Sequence, residues 1–118
     1  MTVYTYQGCS TCRAAVKWLR AEGISFEEIP IRETPPKLDE LRAMLAAYGG
    51  KVRQLFNTSG QDYRALGLKD RLPSLSADDA LQLLTENVNL VKRPFAIDAL
   101  RNIYRVGFRA ESWEPFRS

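Results

Sequence analysis

The chain has 118 residues, 45% hydrophobic and 26% charged, with a formal net charge of +3; this is globular usage and the length of a single domain, not of a disordered or collagenous chain. It contains no histidine, which excludes Ser-His-Asp and Cys-His catalytic arrangements. Its only cysteines, Cys9 and Cys12, cannot by themselves complete a four-coordinate zinc site of nitrogen and sulfur ligands, so no metal is expected.

In chain order, Val3-Tyr4-Thr5-Tyr6 is rich in β-branched and aromatic residues and predicts a first strand. Gln7 to Thr11 forms a turn around Gly8, and Cys12 to Glu22 turns helical. Ala15, Val16, Trp18 and Leu19 lie on its apolar side, Arg13, Lys17 and Arg20 on another, and Gly23 stops it. Ile24 to Ile31 predicts a second strand, placed at an edge by Pro30 and parallel to the first through the helical crossover. Thr34 reads as the N-cap of the next helix, with Pro35 at its first position and Leu38, Leu41, Leu45 and Tyr48 facing inward. Short helical segments follow around Val52, Leu55 and Phe56 and around Tyr63, Leu66 and Leu68. Ser76-Ala-Asp-Asp79 resembles a capping box ahead of Ala80, Leu81, Leu83 and Leu84. After Pro94 the period changes: Phe95–Asp98 and Ile103–Val106 predict an antiparallel hairpin, and a short helix carrying Trp113 and Phe116 closes the chain. Both tryptophans read as packing residues. The order βαβ, helices, ββα predicts an α/β fold. It has a four-stranded mixed sheet, the topology of a thioredoxin-like core, and a helical insertion over about 34–91 between strands 2 and 3.

Apolar runs such as Met44 to Tyr48 are far too short to span a membrane, and the N-terminus lacks the marks of a signal peptide. A cytoplasmic location is therefore expected. The last 30 residues carry six basic and three acidic side chains, which is too mild for direct nucleic-acid binding but enough for an anion pocket.

Cys9 and Cys12 sit where the first strand hands over to the first helix. There, unpaired backbone amides and the helix dipole favour a thiolate at Cys9. An unperturbed thiol is only about 3% ionised at neutral pH, so such help makes the reactive form plentiful without a histidine base. Cys12, three residues on and less exposed, is spaced to attack a mixed disulfide on Cys9. A purely stabilising role for a Cys9–Cys12 bridge is weak, since so small a ring removes only ~2 kcal/mol of unfolded-state entropy.

The motifs Gly8-Cys-Ser-Thr-Cys-Arg13, Glu33-Thr-Pro-Pro36, Leu55 to Leu68, Lys92-Arg-Pro-Phe95 and Val106-Gly-Phe108 occur in this order and spacing over nearly the whole chain. The chain thereby resembles the arsenate reductase (ArsC)/Spx family, whose fold is thioredoxin-like. The resemblance implies a thiol oxidoreductase with Cys9 as nucleophile, and with glutathione as thiol co-substrate or Cys12 as the resolving thiol. It implies no bound cofactor, and partners that are a small thiol or oxyanion substrate and glutaredoxin. Arg93 maps onto an oxyanion-binding arginine and Pro94 onto the proline beside the redox cysteine. Ser10 and Thr11 would contribute backbone amides, and Arg13, Asn57 and Arg109 are further candidate binding residues. Asn57 stands where the family has an arginine, and a third arginine has no clean counterpart near Arg105 and Arg109, which counts against arsenate itself as the substrate. The alternative the resemblance implies is a redox-switched transcriptional regulator of the Spx type. Such a regulator would use Cys9 and Cys12 as its switch and bind the RNA polymerase α subunit.

Overall fold

The first strand, β1 (Thr2–Thr5), buries Val3, Tyr4 and Thr5 and is followed by a turn into α1 (Ser10–Ala21). On α1 the apolar positions Ala15, Val16 and Leu19 are buried while Arg13, Lys17 and Arg20 stay exposed. Gly23, at a φ of 69°, ends the helix: its amide donates to the Arg20 carbonyl at 3.1 Å, and that of Ile24 donates to Leu19 at 3.0 Å. Ile24 is thus spent on the helix terminus. The second strand, β2, accordingly runs only over Glu27–Pro30 instead of beginning at Ile24. The remaining strands, β3 (Phe95–Asp98) and β4 (Ile103–Val106), have the predicted bounds.

These strands form one four-stranded mixed sheet in the order β2-β1-β3-β4, with β1 parallel to β2 and antiparallel to β3. Pro30 lies in an edge strand, where its missing donor costs nothing. The model is a computed structural model that describes residues 1–117. In it, the sheet, α1 and the C-terminal helix Ala110–Trp113 belong to one compact unit, made of Met1–Thr34 and the chain from Arg93 onward. Its core joins Val3, Ala15, Leu19, Ala96, Trp113 and Phe116, with Trp18 and Phe108 packed against it. The buried Trp113 indole donates to the Gly107 carbonyl at 3.0 Å, so its polar edge is satisfied, and its rings meet Phe108 and Phe116 edge-on at 5.1 and 5.2 Å.

The second compact unit, Pro35–Lys92, is helical. It contains α2 (Leu38–Ala47), α3 (Gln61–Ala65), α4 (Leu68–Arg71) and α5 (Ala77–Glu86), with a 3-10 turn between α2 and α3, another between α4 and α5, and a third after α5. The middle of this segment is tied to its C-terminal end by the bridge Phe56–Val91 and by amides of Asn57 and Lys92 donating to Leu90 and Leu55 at 2.7 and 2.8 Å. Ser76 caps α5 as expected, its hydroxyl accepting from the Asp79 amide at 3.1 Å. The start of α2 departs from expectation: the N-cap is Lys37, not Thr34, and Pro35 lies outside the helix. Pro36 disfavours helical conformation at the preceding Pro35, and the first helical residue is Leu38, three residues beyond the expected Pro35.

Candidate active site

Sheet register gathers three chain segments at one end of the first unit. Tyr4 pairs with Ile29 on one side and Phe95 on the other, and the Ile31 amide extends the β1–β2 ladder by donating to the Thr5 carbonyl at 2.8 Å. Where Tyr6 leaves β1, the chain therefore also carries Arg32 out of β2 and brings Arg93 and Pro94 into β3. The crevice beyond the carboxyl ends of parallel strands is where open α/β sheets place ligands. The turn to α1, with both cysteines, opens into that same place.

Cys9 is the N-cap of α1, so the helix begins at Ser10, earlier than the predicted Cys12. Its amide donates to the Tyr6 carbonyl at 3.0 Å, and its half-buried sulfur accepts the Cys12 amide at 3.2 Å. A sulfur in this position takes the role usually held by a serine or aspartate oxygen, and as an anion it gains from the helix dipole. Ser10 and Thr11 are exposed in the first turn, where amides have no intrahelical carbonyl to serve. Cys12 is 2% exposed, and both cysteines are free thiols. Burial, then the hydrogen bond and charge of the neighbouring Cys9, push the Cys12 thiol up to about 12; the Tyr6 backbone and Arg93 pull the other way but do not prevail. The pair is asymmetric: one accessible sulfur that accepts an amide, one buried sulfur that keeps its proton.

Arg93 precedes Pro94 through a cis peptide bond and is close enough to Cys12 to act on its charge. Its guanidinium carbon lies 4.9 Å from the centre of the Tyr6 ring, while that of Arg32 lies 4.0 Å from the same centre. One buried guanidinium nitrogen of Arg93, Nη1, has no hydrogen-bond partner among the described residues. Gly8 fits closely over the Tyr6 ring, since a Cβ there would sit 2.7 Å from Tyr6 Cε2. Arg13 donates to the Gln7 carbonyl at 2.9 Å and so fastens the turn before Cys9. A groove of about 440 Å³ runs past Tyr6, Cys12, Arg13, Lys17, Arg20 and Glu28; the Glu28 carboxylate accepts from the Thr5 hydroxyl at 2.7 Å.

Cys9, Cys12, Ser10, Thr11, Arg13, Arg93 and Pro94 all belong to this first unit. Asn57 belongs to the second, where its side chain folds over Gly60 closely enough that a Cβ there would meet it at 2.7 Å. Arg109 is exposed at the N-cap of the C-terminal helix, and its carbonyl takes the amides of Ser112 and Trp113. The adjacent Arg105 is spent on the Ser112 carbonyl at 2.7 Å. Tyr6 and Arg32 were not singled out by sequence motifs. The parallel pairing of the first two strands is the signal that could have placed them.

A family model described as the ArsC family matches residues 4–116. The chain is 35% identical to an arsenate reductase of Rhizobium meliloti, over 85% of this chain and 70% of that protein. It is 32% identical to a global transcriptional regulator Spx of Enterococcus faecalis, over 98% of this chain and 85% of that one. The crystal structure of an ArsC family related protein from Bacteroides fragilis superposes with a TM-score of 0.90 at 36% identity, covering 98% of this chain and 97% of that chain. With the thiol pair at the strand-to-helix turn, the arginine before proline and the four-stranded mixed sheet all in place, this chain belongs to the ArsC family.

Proposed function

We propose that the protein is a thiol-disulfide oxidoreductase in which Cys9 is the nucleophile. The observation that carries this reading is the Cys9 sulfur at the start of α1, accepting the Cys12 amide with Arg93 nearby. The Cys9 thiolate attacks one sulfur of a disulfide or of a glutathione adduct. A Cys9–S bond forms, the original S–S bond breaks, and the second sulfur leaves as a thiolate that takes a proton from water. Resolution follows in one of two ways: the Cys12 thiolate attacks the Cys9 sulfur, or a glutathione thiolate attacks the outer sulfur of the mixed disulfide. The mixed disulfide breaks, the displaced sulfur leaves as a thiolate that takes a proton, and the two electrons come from the two thiols that end joined in the new disulfide.

The chemistry of Cys12 suits an ordered sequence. Two of the influences that raise it, the hydrogen bond and the charge of Cys9, disappear once Cys9 is tied up in a mixed disulfide. Arg93 and the Tyr6 backbone, which favour its thiolate, remain. Burial, the largest cause, remains, so Cys12 is held back before the first step and held back less at the second. The substrate class is a disulfide or thiol adduct rather than arsenate, because Asn57 occupies the position of an arginine in the arsenate reductases the sequence resembles. The deciding assay is turnover of a glutathione mixed disulfide by Cys9→Ser protein: activity should vanish, and undiminished activity ends the proposal. The similarity to an Spx regulator over 98% of this chain fits a second reading equally, a redox-switched partner of the RNA polymerase α subunit. Capture of that subunit by only one of the reduced and oxidised forms would support it; absence of capture by either would remove it.

A further inference from the structure

We propose that Trp113 is a positioning residue for the thiol site: its indole N–H takes the place of the backbone amide that Pro94 lacks, and so holds the Arg93–Pro94 segment where Arg93 faces the thiol pair. The inference rests on the reading of Cys9 and Cys12 as the reacting pair. It adds to their surroundings a residue remote from both in sequence.

Phe95 pairs with Val106 at the end of the β3–β4 ladder, and the pairing runs one residue further, because the Gly107 amide donates to the Pro94 carbonyl at 2.9 Å. In an antiparallel pair of this kind the two residues exchange both hydrogen bonds. The return bond would run from the Pro94 amide to the Gly107 carbonyl, and proline has no N–H to make it. That carbonyl is not left unpaired: Nε1 of Trp113 donates to it at 3.0 Å, in a buried bond. A side chain from the C-terminal helix thereby completes the rung that Pro94 leaves half-made. A buried carbonyl without any donor would be costly, so the rung would hold less firmly without the indole.

The donor is aimed by its surroundings. At Gly107 the chain takes a φ of 69°, open to glycine, and leaves the strand direction to reach the helix Ala110–Trp113. That helix is tied back to β4 by Nε of Arg105, which donates to the Ser112 carbonyl at 2.7 Å. The Trp113 ring is fully buried and meets Trp18, Phe108 and Phe116 edge-on at 6.5, 5.1 and 5.2 Å, so its N–H has little freedom to turn elsewhere. Any large aromatic side chain would supply most of that packing; only tryptophan supplies the donor as well. The residue before Pro94 is Arg93, whose charge acts on Cys12 in favour of its thiolate. Slack at the Pro94–Gly107 rung therefore reaches a group that serves the second step of exchange.

The test uses the full chain with Trp113 replaced by benzothienylalanine, a sulfur isostere that keeps the shape of the ring and cannot donate; Trp113→Phe is the second variant. In isotope-labelled protein, exchange of the Gly107 amide is compared with that of the Ile31 amide in the β1–β2 ladder, so that a general loss of stability cancels. Protection of Gly107 relative to Ile31 should fall roughly fivefold, the worth of one neutral hydrogen bond, and the side-chain signal of Arg93 should move. An unchanged exchange ratio, or an Arg93 signal that stays in place, overturns the proposal. The second arm follows reaction with a neutral dipyridyl disulfide. Attack by Cys9 forms its pyridyl mixed disulfide and releases one pyridine thiolate; attack by Cys12 on the Cys9 sulfur forms the Cys9–Cys12 disulfide and releases the other. The ratio of the second rate to the first should fall roughly threefold as the support of Arg93 for the Cys12 thiolate weakens. A ratio equal to that of the parent chain overturns the proposal, since Trp113 would then serve the strand pair alone. Should Cys9 of the parent chain not react at all, the oxidoreductase reading fails, and the exchange ratio together with the Arg93 signal decides the role of Trp113.

Discussion

At Cys12, a buried sulfur within the first turn of α1 is kept protonated by its surroundings, while Cys9 one turn-start away is half-open to solvent. Only thiolates alkylate at useful rates, so the buried, protonated Cys12 is the slower of the two to react. Exposure to iodoacetamide at neutral pH, followed by peptide mass mapping, should label Cys9 at least tenfold faster than Cys12. Comparable labelling of the two would contradict the asymmetry. Once Cys9 is blocked as a mixed disulfide, the lag at Cys12 should shrink, because two of the causes that hold it back belong to Cys9. Gly8 matters at this scale as well. A side chain there would have to displace the Tyr6 ring, and with it the resting place of two arginines.

Among the elements, α1 is capped by the proposed nucleophile, so changing that residue tests two properties at once. Cys9→Ser keeps a cap acceptor and Cys9→Ala removes it; the alanine variant should be less stable than the serine variant by about 1 kcal/mol, read from urea midpoints. Equal stability would mean the sulfur contact to the Cys12 amide does not cap the helix. The elements also differ in how far local sequence announces them. Phe95–Asp98 and Ile103–Val106 were legible to the residue, because each is a short apolar-rich run with a clear boundary, Pro94 before the first and a four-residue turn between them. The β2 start was missed because Ile24 looks like strand but is consumed by the helix-ending motif at Gly23. The α2 start was missed because Pro35 alone suits a first helical position, and the proline after it reverses that preference. Cys9, Cys12 and Arg93 stood out through local motifs. Tyr6 and Arg32 did not, since their meeting depends on which residue of β1 lies opposite which residue of β2, and register is a property of paired strands rather than of either one.

Over the whole molecule, two groups should shape stability against pH in opposite limbs. Native Cys12 holds its proton up to about 12, whereas the unfolded thiol releases it near the ordinary value of 9.0. Between these limits the native state binds more protons, so this contribution is complete below that window and is lost as pH rises through it. Asp98 has the reverse sense. The Arg101 side chain, donating at 2.8 Å, holds its carboxyl below the ordinary 3.8, so its contribution is present above that value and is lost as pH falls through the native one. Unfolding midpoints across pH should therefore decline less steeply on the alkaline side in Cys12→Ala and on the acid side in Asp98→Asn than in the parent chain. Matching slopes would refute the respective assignment. Both groups lie in the unit that carries the sheet; the helical unit Pro35–Lys92 contributes neither.

That the Cys9 sulfur receives the Cys12 amide would give the proposed disulfide exchange a mechanical expression. Electron density committed to a new sulfur–sulfur bond would be withdrawn from the backbone, leaving the opening coil of the helix to fray or to seek water. The oxidation level of a single atom would in this way be legible along the main chain, without any larger part needing to move.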